Sequence, residues 1–467
     1  MSKRPNFLIL FPDQHRGDFM PYNKEIFQKL GMTELPLRMP NIKRIMKKGV
    51  TFTNVITPSP LCAPARACLA SGLRYKDCRV VSNSVDYPVD LKTYYSALKE
   101  VGYIVSSVGK LDLHKPTLYW GLNGWIPDLD KIGFTHVIDS EGKWDAFLSL
   151  RADKSETKPQ NGISPQIHTP KGPYMKYLQD KNLLTVHMSD FKKRFKKYYT
   201  EPTPLPEESY GDNWITQNAL TMLNNFPKDN PWHLVVNFTG PHEPWDVTER
   251  MKKEWENVPF PKPFNGNVKK VDEEIKIRQN YAAMLENIDR NIGIIIDKVK
   301  DRGEIDNTII IYASDHGEML GDFNKHGKQL PQRGSTHIPL VISGLNISKG
   351  QYDNQLVELQ DLTNTILDYA QISMKEAKAS ISLKDLLEGN KNNHRKYQIS
   401  ALNLSGKENS GWKLIKNERY KLVIEKDMEF KLYDLNQDPW ESDDCSKENP
   451  IIVKELLNEL QNVYLER

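Results

Sequence analysis

The strongest constraint on this chain is a repeated pairing: a short apolar, β-branched run, then a polar segment rich in groups that bind metals or anions. The runs are Asn6 to Phe11, Tyr103 to Val108, Trp232 to Phe238, Thr308 to Ala313 and Pro339 to Ile342. Helical patterns separate them, which predicts an α/β fold: a large mixed, mainly parallel sheet sandwiched by helices. In open sheets of this kind ligands bind beyond the carboxyl ends of the strands. Four of the runs are followed there by Asp13-Gln14-His15-Arg16, Gly109-Lys110-Leu111-Asp112-Leu113-His114, Thr239-Gly240-Pro241-His242-Glu243 and Ser314-Asp315-His316-Gly317-Glu318. One such cluster could arise by chance; four predict a site.

The clearest helix runs from Tyr281 to Arg302. Leu285, Ile288, Ile292, Ile295 and Val299 recur at three- and four-residue spacing, and Gly303 stands where a helix-ending glycine belongs. From about Glu141 to Asp212 the chain is polar and weakly periodic, which predicts long surface loops with short helices around the mouth of a site. After about Ile372 the pattern changes. Trp412 to Ile415, Tyr420 to Ile424 and Phe430 to Tyr433 read as short antiparallel strands. A last helix follows from about Pro450, with Val453, Leu456, Leu457, Leu460 and Val463 on one face. The expectation is a large domain over residues 1–372 and a small α+β C-terminal subdomain over residues 373–467.

Lys plus Arg number 64 and Asp plus Glu 61, a net charge of +3, which gives no reason to expect nucleic acid as a partner. No apolar run approaches the roughly 20 residues of a membrane span, so no membrane partner is expected either. The apolar stretch after Met1 to Pro5 is shorter than a secretory leader. A cytoplasmic protein is expected if this N-terminus is native, and a periplasmic or secreted one if a leader has been removed. Cys62, Cys68, Cys78 and Cys445 fit neither a zinc spacing nor a dense disulfide framework. A reducing compartment is the simpler reading, with a Cys68–Cys78 pairing left open.

The most specific segment is Cys62-Ala63-Pro64-Ala65-Arg66-Ala67-Cys68-Leu69-Ala70-Ser71-Gly72. Pro64 suits the first turn of a helix and Gly72 its end. Cys62 then sits at a helix N-terminus, which favours an anion, and Arg66 faces the same way one turn on. A lone cysteine is more often a small buried hydrophobe, and that reading is kept for the other three. C-x-P-x-R followed by L-x-S-G, however, resembles the activation motif of the type I sulfatases, the formylglycine-dependent enzymes of the alkaline-phosphatase-like superfamily. The resemblance extends over nearly the whole chain, to the Asp13, Gly-Lys, Pro-His and Ser-Asp-His-Gly-Glu segments and a C-terminal Leu-Tyr-Asp-Leu-x-x-Asp-Pro.

The resemblance implies that a maturation enzyme oxidises Cys62 to formylglycine, whose hydrate attacks the sulfur of a sulfate ester beside one divalent metal. It implies a metal set of Asp13, Gln14, residue 62, Asp315 and His316. Such oxygen-rich ligands suit Ca²⁺, with Mg²⁺ or Mn²⁺ as alternatives. The sulfate-binding and acid–base groups it implies are Arg66, Lys110, His114, His242 and Lys328. Two departures stand out. Many sulfatases carry Asp-Asp where this chain has Asp13-Gln14. The family's histidine two residues after the lysine is here Asp112, so His114 is expected to take its role, with Asp112 as the alternative. Lys325 and His326 read as flanking surface residues. Trp120, Trp125, Trp214, Trp245 and His187 could stack on a sugar by type alone, although packing is the stronger reading for each. The expected substrate is a sulfated small molecule or glycan. Rival readings are a phosphonate or phosphate ester hydrolase of the same superfamily and a catalytically silent protein that binds sulfated glycans.

Overall fold

A computed structural model of the chain describes residues 4–151, 169–196, 198–390, 393–403, 411–425 and 429–465. Its main sheet uses Asn6–Asp13 (β1), Gly49–Phe52 (β2), Ile104–Gly109 (β4), His136–Asp139 (β5), Trp232–Pro241 (β6), Thr308–Ala313 (β7), Leu340–Ser343 (β8) and Gln351–Asp353 (β9). The strand order is β5-β4-β6-β1-β7-β8-β2-β9. Val55–Ile56 (β3) and Val357–Glu358 (β10) form a separate parallel pair. Every pairing in the main sheet is parallel except those of β8, which runs against both β7 and β2. The sheet is therefore mixed and mainly parallel, as the alternation of strands and helices predicts.

β1 lies near the centre, with Phe7 opposite His233 of β6 and Ile309 of β7. All eight of its residues are buried. Its side chains alternate between faces: Leu8 and Leu10 join one apolar cluster, Phe7, Ile9 and Phe11 the other. A strand covered on both faces has no polar alternation to show, so it reads as an unbroken apolar run. The 31-residue helix Val271–Asp301 supplies Ile277, Tyr281, Leu285, Ile288 and Ile292 to the first cluster. It starts ten residues before the expected Tyr281, with Asp272, Glu273 and Glu274 in a first turn where negative charge is favoured. The helix Cys62–Ser71 packs into the opposite cluster through Ala65, Ala67, Cys68, Leu69 and Ala70.

The stretch expected to be long surface loops with short helices is largely helical in its described part: Lys143–Arg151, Pro173–Asp180, Leu184–Arg194 and the start of Gly211–Asn225. Phe147, Met175, Leu178, Met188 and Phe191 from it are buried in the same cluster as Leu8. The polar composition conceals one apolar face per helix, because aromatic and Met residues are spread thinly among lysines. Residues 152–168 and 197 of that stretch lie outside the described residues.

Toward the C-terminus Gln398–Leu402 (β11), Trp412–Lys416 (β12), Tyr420–Ile424 (β13) and Phe430–Asp434 (β14) form an antiparallel sheet in chain order. Val453, Leu456 and Leu460 of the helix Pro450–Leu465 pack on Ile415, Leu422 and Leu432. This sheet meets the larger body through β11: Gln398 Nε2 donates to Val357 O at 2.7 Å and Ile399 N–H to a Glu358 carboxylate oxygen at 2.6 Å. Cys68 and Cys78 are buried free thiols with their sulfurs 3.7 Å apart. No helix among the described residues is long and apolar enough to cross a membrane.

Candidate active site

β4, β6, β1 and β7 are consecutive neighbours in the sheet, so their carboxyl ends deliver all four polar segments to one edge. The helix Cys62–Ser71 points its N-terminus at that edge. Leu61 is extended (φ −153°, ψ 137°), and the chain turns helical at Cys62. Asn83 Oδ1 accepts the Ala63 N–H at 3.0 Å, satisfying one of the first-turn donors. Gly72 ends the helix at φ +68°, a conformation few other residues adopt cheaply, and its N–H bonds Cys68 O at 2.8 Å.

Cys62 is buried, and its Sγ is 2.9 Å from Lys328 Nζ, 3.3 Å from Lys110 Nζ and 3.3 Å from His316 Nε2. Burial alone would raise the thiol, but Lys110, Lys328 and His316 hold it well below the usual range. This is a position built for a negatively charged atom. Ligand atoms of Asp13, Cys62, Asp315 and His316 all lie within 4.8 Å of one another. Gln14 adjoins them: its backbone is left-handed (φ +67°), and its Oε1 is buried without a hydrogen-bond partner. Two carboxylates, an imidazole and an orphaned amide oxygen fit a divalent cation. Burial and Cys62 would raise the Asp13 carboxyl, yet Lys110, His242 and Lys328 keep it below its normal range. Asp315 Oδ1 accepts the N–H groups of Gln14 (3.0 Å) and His316 (2.9 Å), while Oδ2 pairs with Arg66 Nε at 3.0 Å.

Arg66 is 4 % exposed and also donates to Lys110 O and to Asn237 Oδ1 (2.9 Å), over the ring of Phe11. Its remaining nitrogen, Nη2, has no partner. Lys110 Nζ bridges Asp13 and Asp112, the latter at 3.2 Å. Lys328 Nζ donates to His242 Nε2 at 2.8 Å, so the imidazole carries its proton on Nδ1, which bonds Glu243 O at 2.6 Å.

The structure thus brings together Asp13, Gln14, Cys62, Arg66, Lys110, His242, Asp315, His316 and Lys328. His114, expected to take the family histidine's role, is placed away from this set. The His114 imidazole pairs with Asp86 at 3.2 Å and is partly exposed. Asp112 occupies the site instead. It adopts φ +57°, which turns the loop so that its carboxylate meets Lys110 and, at 3.1 Å, Lys115. Burial would raise Asp112, but Lys110 and Lys115 lower it below the usual carboxylate range. Its Oδ1 is buried without a partner.

Asn237, Glu243, Glu318 and Lys115 were not assigned roles from sequence. Asn237 carried a signal, being the one amide inside a mostly apolar run: it holds Arg66 and donates to Ser107 Oγ at 2.9 Å. Trp120, Trp214 and His187 are buried, and Trp125 packs against the core. Trp245 packs beside His326 at 5.4 Å, and His326 is paired with Glu274 at 3.0 Å.

Comparison with known proteins places the chain in a family. Residues 5–372 match the Sulfatase family, and residues 321–466 match the C-terminal region of N-sulphoglucosamine sulphohydrolase. An arylsulfatase of Clostridium perfringens (strain 13 / Type A) is 25 % identical over 463 residues, covering 94 % of this chain and 89 % of that protein. A choline-sulfatase of Rhizobium meliloti (strain 1021) is 27 % identical over 423 residues, covering 83 % and 72 %. Among solved structures, an enzyme in complex with its substrate D-glucosamine-2-N,6-O-disulfate superposes with TM-score 0.74 at 20 % identity, over 99 % of this chain and 97 % of that one. A phosphonate monoester hydrolase of Agrobacterium radiobacter gives TM-score 0.74 at 21 % identity, over 99 % and 95 %. These two likenesses establish the fold, and the family match establishes the activity: the chain belongs to the sulfatase family and is a sulfuric ester hydrolase.

Proposed function

We propose that this sulfatase acts on a sulfated carbohydrate or related small alcohol, with residue 62 as nucleophile and Asp13, Gln14, Asp315 and His316 holding a divalent cation, Ca²⁺ by the hardness of the set. The observation that carries the reading is the enclosure of buried Cys62 Sγ by Lys110, Lys328 and His316, all within 3.3 Å. Formylglycine formed from Cys62 by a maturation enzyme would supply a hydrated aldehyde as nucleophile, and the cation would supply positive charge to lower the hydroxyl's pKa. This chain's own residues do the rest. Lys110 and Lys328 bind sulfate oxygens as point charges, and Arg66 holds the nucleophile through its free Nη2. Lys328 and His242, in direct contact, hold a proton beside the leaving alcohol oxygen. Asp112, through its unpartnered Oδ1, accepts the proton released when sulfate is expelled. His114 is left with a surface pairing.

The test is peptide mass analysis of residue 62 from active protein, together with turnover of matched aryl sulfate and aryl phosphate esters. A residue 62 peptide lighter than coded, reactive with hydrazide probes, and a preference for the sulfate are expected. Full activity with alkylatable, unmodified Cys62 would refute the nucleophile assignment.

A further inference from the structure

We infer that Glu243 and Glu318 are positioning residues that jointly orient the side-chain amide of Gln14, so that its oxygen faces the metal ligands, and that Glu318 ties this orientation to the turn carrying Lys328. The inference rests on the metal site proposed above. Gln14 is fixed at its backbone on both sides: its N–H donates to Asp315 Oδ1 at 3.0 Å, and its carbonyl accepts from Tyr281 Oη at 2.6 Å. Its side chain then has one free choice, which end of the amide points where. Nε2 donates to Glu243 Oε2 at 2.6 Å and to Glu318 Oε2. An amide nitrogen has two hydrogens, and here two carboxylates take them. Oε1 is the atom left over, buried and unpartnered. Turning the amide over would set an oxygen against two carboxylates and an N–H₂ toward a cation site. A carboxylate at position 14 would face the same pair of acceptors with nothing to donate, so this pair belongs with a glutamine.

The same two carboxylates reach the groups that serve the leaving alcohol. The second oxygen of Glu318 accepts the N–H of Leu320 at 3.1 Å and that of Gly327. Gly327 adopts φ +80° immediately before Lys328, so Glu318 anchors the turn that aims Lys328 at Cys62. Glu243 Oε2 lies 3.3 Å from His242 Nδ1. One layer of acidic side chains behind the site therefore links Gln14, Lys328 and His242. Partners of this kind orient ligands, and their loss typically costs 10- to 100-fold in metal affinity.

The experiment measures Ca²⁺ binding by calorimetry to metal-stripped, full-length protein, with thermal unfolding of each metal-free variant as the folding control. Glu318→Gln and Glu243→Gln keep size but present N–H₂ groups to the Gln14 amide. Each should lower Ca²⁺ affinity by roughly tenfold or more. In a Gln14→Ala background the same two substitutions should change affinity by less than about twofold, because the group they act through is gone. The metal-free variants should unfold within about 2 °C of the wild type, since a shape-conserving change that leaves backbone donors an acceptor costs little. Unchanged affinity in both single variants, or a tenfold loss that persists without Gln14, would overturn the positioning role. Failure of the wild type to bind Ca²⁺ at all would instead sink the metal site itself.

Discussion

Replacing Asp112 by asparagine removes one charge and no volume, which separates the role of its carboxylate from its shape. Asp112 Oδ2 sits 3.2 Å from Lys110 Nζ and 3.1 Å from Lys115 Nζ, all three groups being buried. Breaking a buried pair typically costs about 3–5 kcal/mol when a charge is left uncompensated. Neither lysine is orphaned here: Lys110 keeps Asp13, and Lys115 keeps Asp145 at 2.8 Å. The cost should therefore fall to about 2 kcal/mol. Unfolding entropy of about 2.1 cal/mol/K per residue gives this chain roughly 1 kcal/mol/K, so Tm should fall by about 2 °C. Activity should suffer far more. Loss of a positioned base typically costs about 10²–10⁴-fold in kcat. Because the proposed base acts after the alcohol has left, Asp112→Asn should release a burst of one alcohol per enzyme and then slow. His114→Ala removes a partly exposed pair with Asp86, an interaction worth about 0–1 kcal/mol. It should leave Tm within about 1 °C and kcat within about threefold. Rapid-quench kinetics with an aryl sulfate and a thermal melt decide the matter. A hundredfold loss in His114→Ala with near-normal Asp112→Asn would show that the loop works in another conformation and refute the argument.

Removal of either metal carboxylate, by Asp13→Ala or Asp315→Ala, should lower kcat on the order of 10²–10³-fold and reduce metal content, read by elemental analysis; full activity after exhaustive chelation would contradict the metal set. Glu141 should make stability pH-dependent. Burial pushes its carboxyl up to about 7 despite the backbone N–H donors of Tyr174 and Met175. The folded protein then holds a proton that the unfolded chain has lost above about pH 4.5. Its contribution is present below that pH and is lost as pH rises through about 7, in total about 3 kcal/mol. Relative to Glu141→Gln, the wild type should lose about 3 °C in Tm between pH 5 and 8; parallel melts across that range would exclude the effect.

The parts legible in the sequence were those where one side chain type has one structural meaning. β1, β6 and β7 show as apolar runs because both faces of the sheet are covered, and the polar residues just past them can only lie at its carboxyl edge. Strand direction was not legible: Leu340–Ser343 looks like its neighbours, yet it runs against them. The burial of the helices between residues 143 and 194 was not legible, because an apolar stripe carried by Phe147, Met175 and Phe191 is diluted by surrounding lysines. At the site, the strand–loop segments that meet at the sheet edge were legible, but not the backbone turn that sets Asp112, rather than His114, against Lys110. That choice is made by φ +57° at one residue and by Lys115 three positions on, neither of which has a sequence signature. The division near residue 372 is kept as a proposal, supported by the separate apolar cluster under β12, β13 and β14.

The placement of Gln14 also bears on which esters the site can neutralise. Asp13, Asp315 and Asp112 are matched one for one by Arg66, Lys110 and Lys328, each cation within contact of one of these carboxylates or of Cys62. Lys115 is balanced separately by Asp145, and the carboxylates on Gln14 Nε2 lie behind its amide. A divalent cation in the proposed site would offset Glu243 and Glu318, both of which contact the Gln14 amide. A phosphate monoester dianion would bring one more negative charge than a sulfate monoester into this buried setting, where unpaired charge is expensive. Under the proposed metal site, a neutral glutamine, its nitrogen turned toward Glu243 and Glu318, would offer a ligand oxygen without adding a further negative charge.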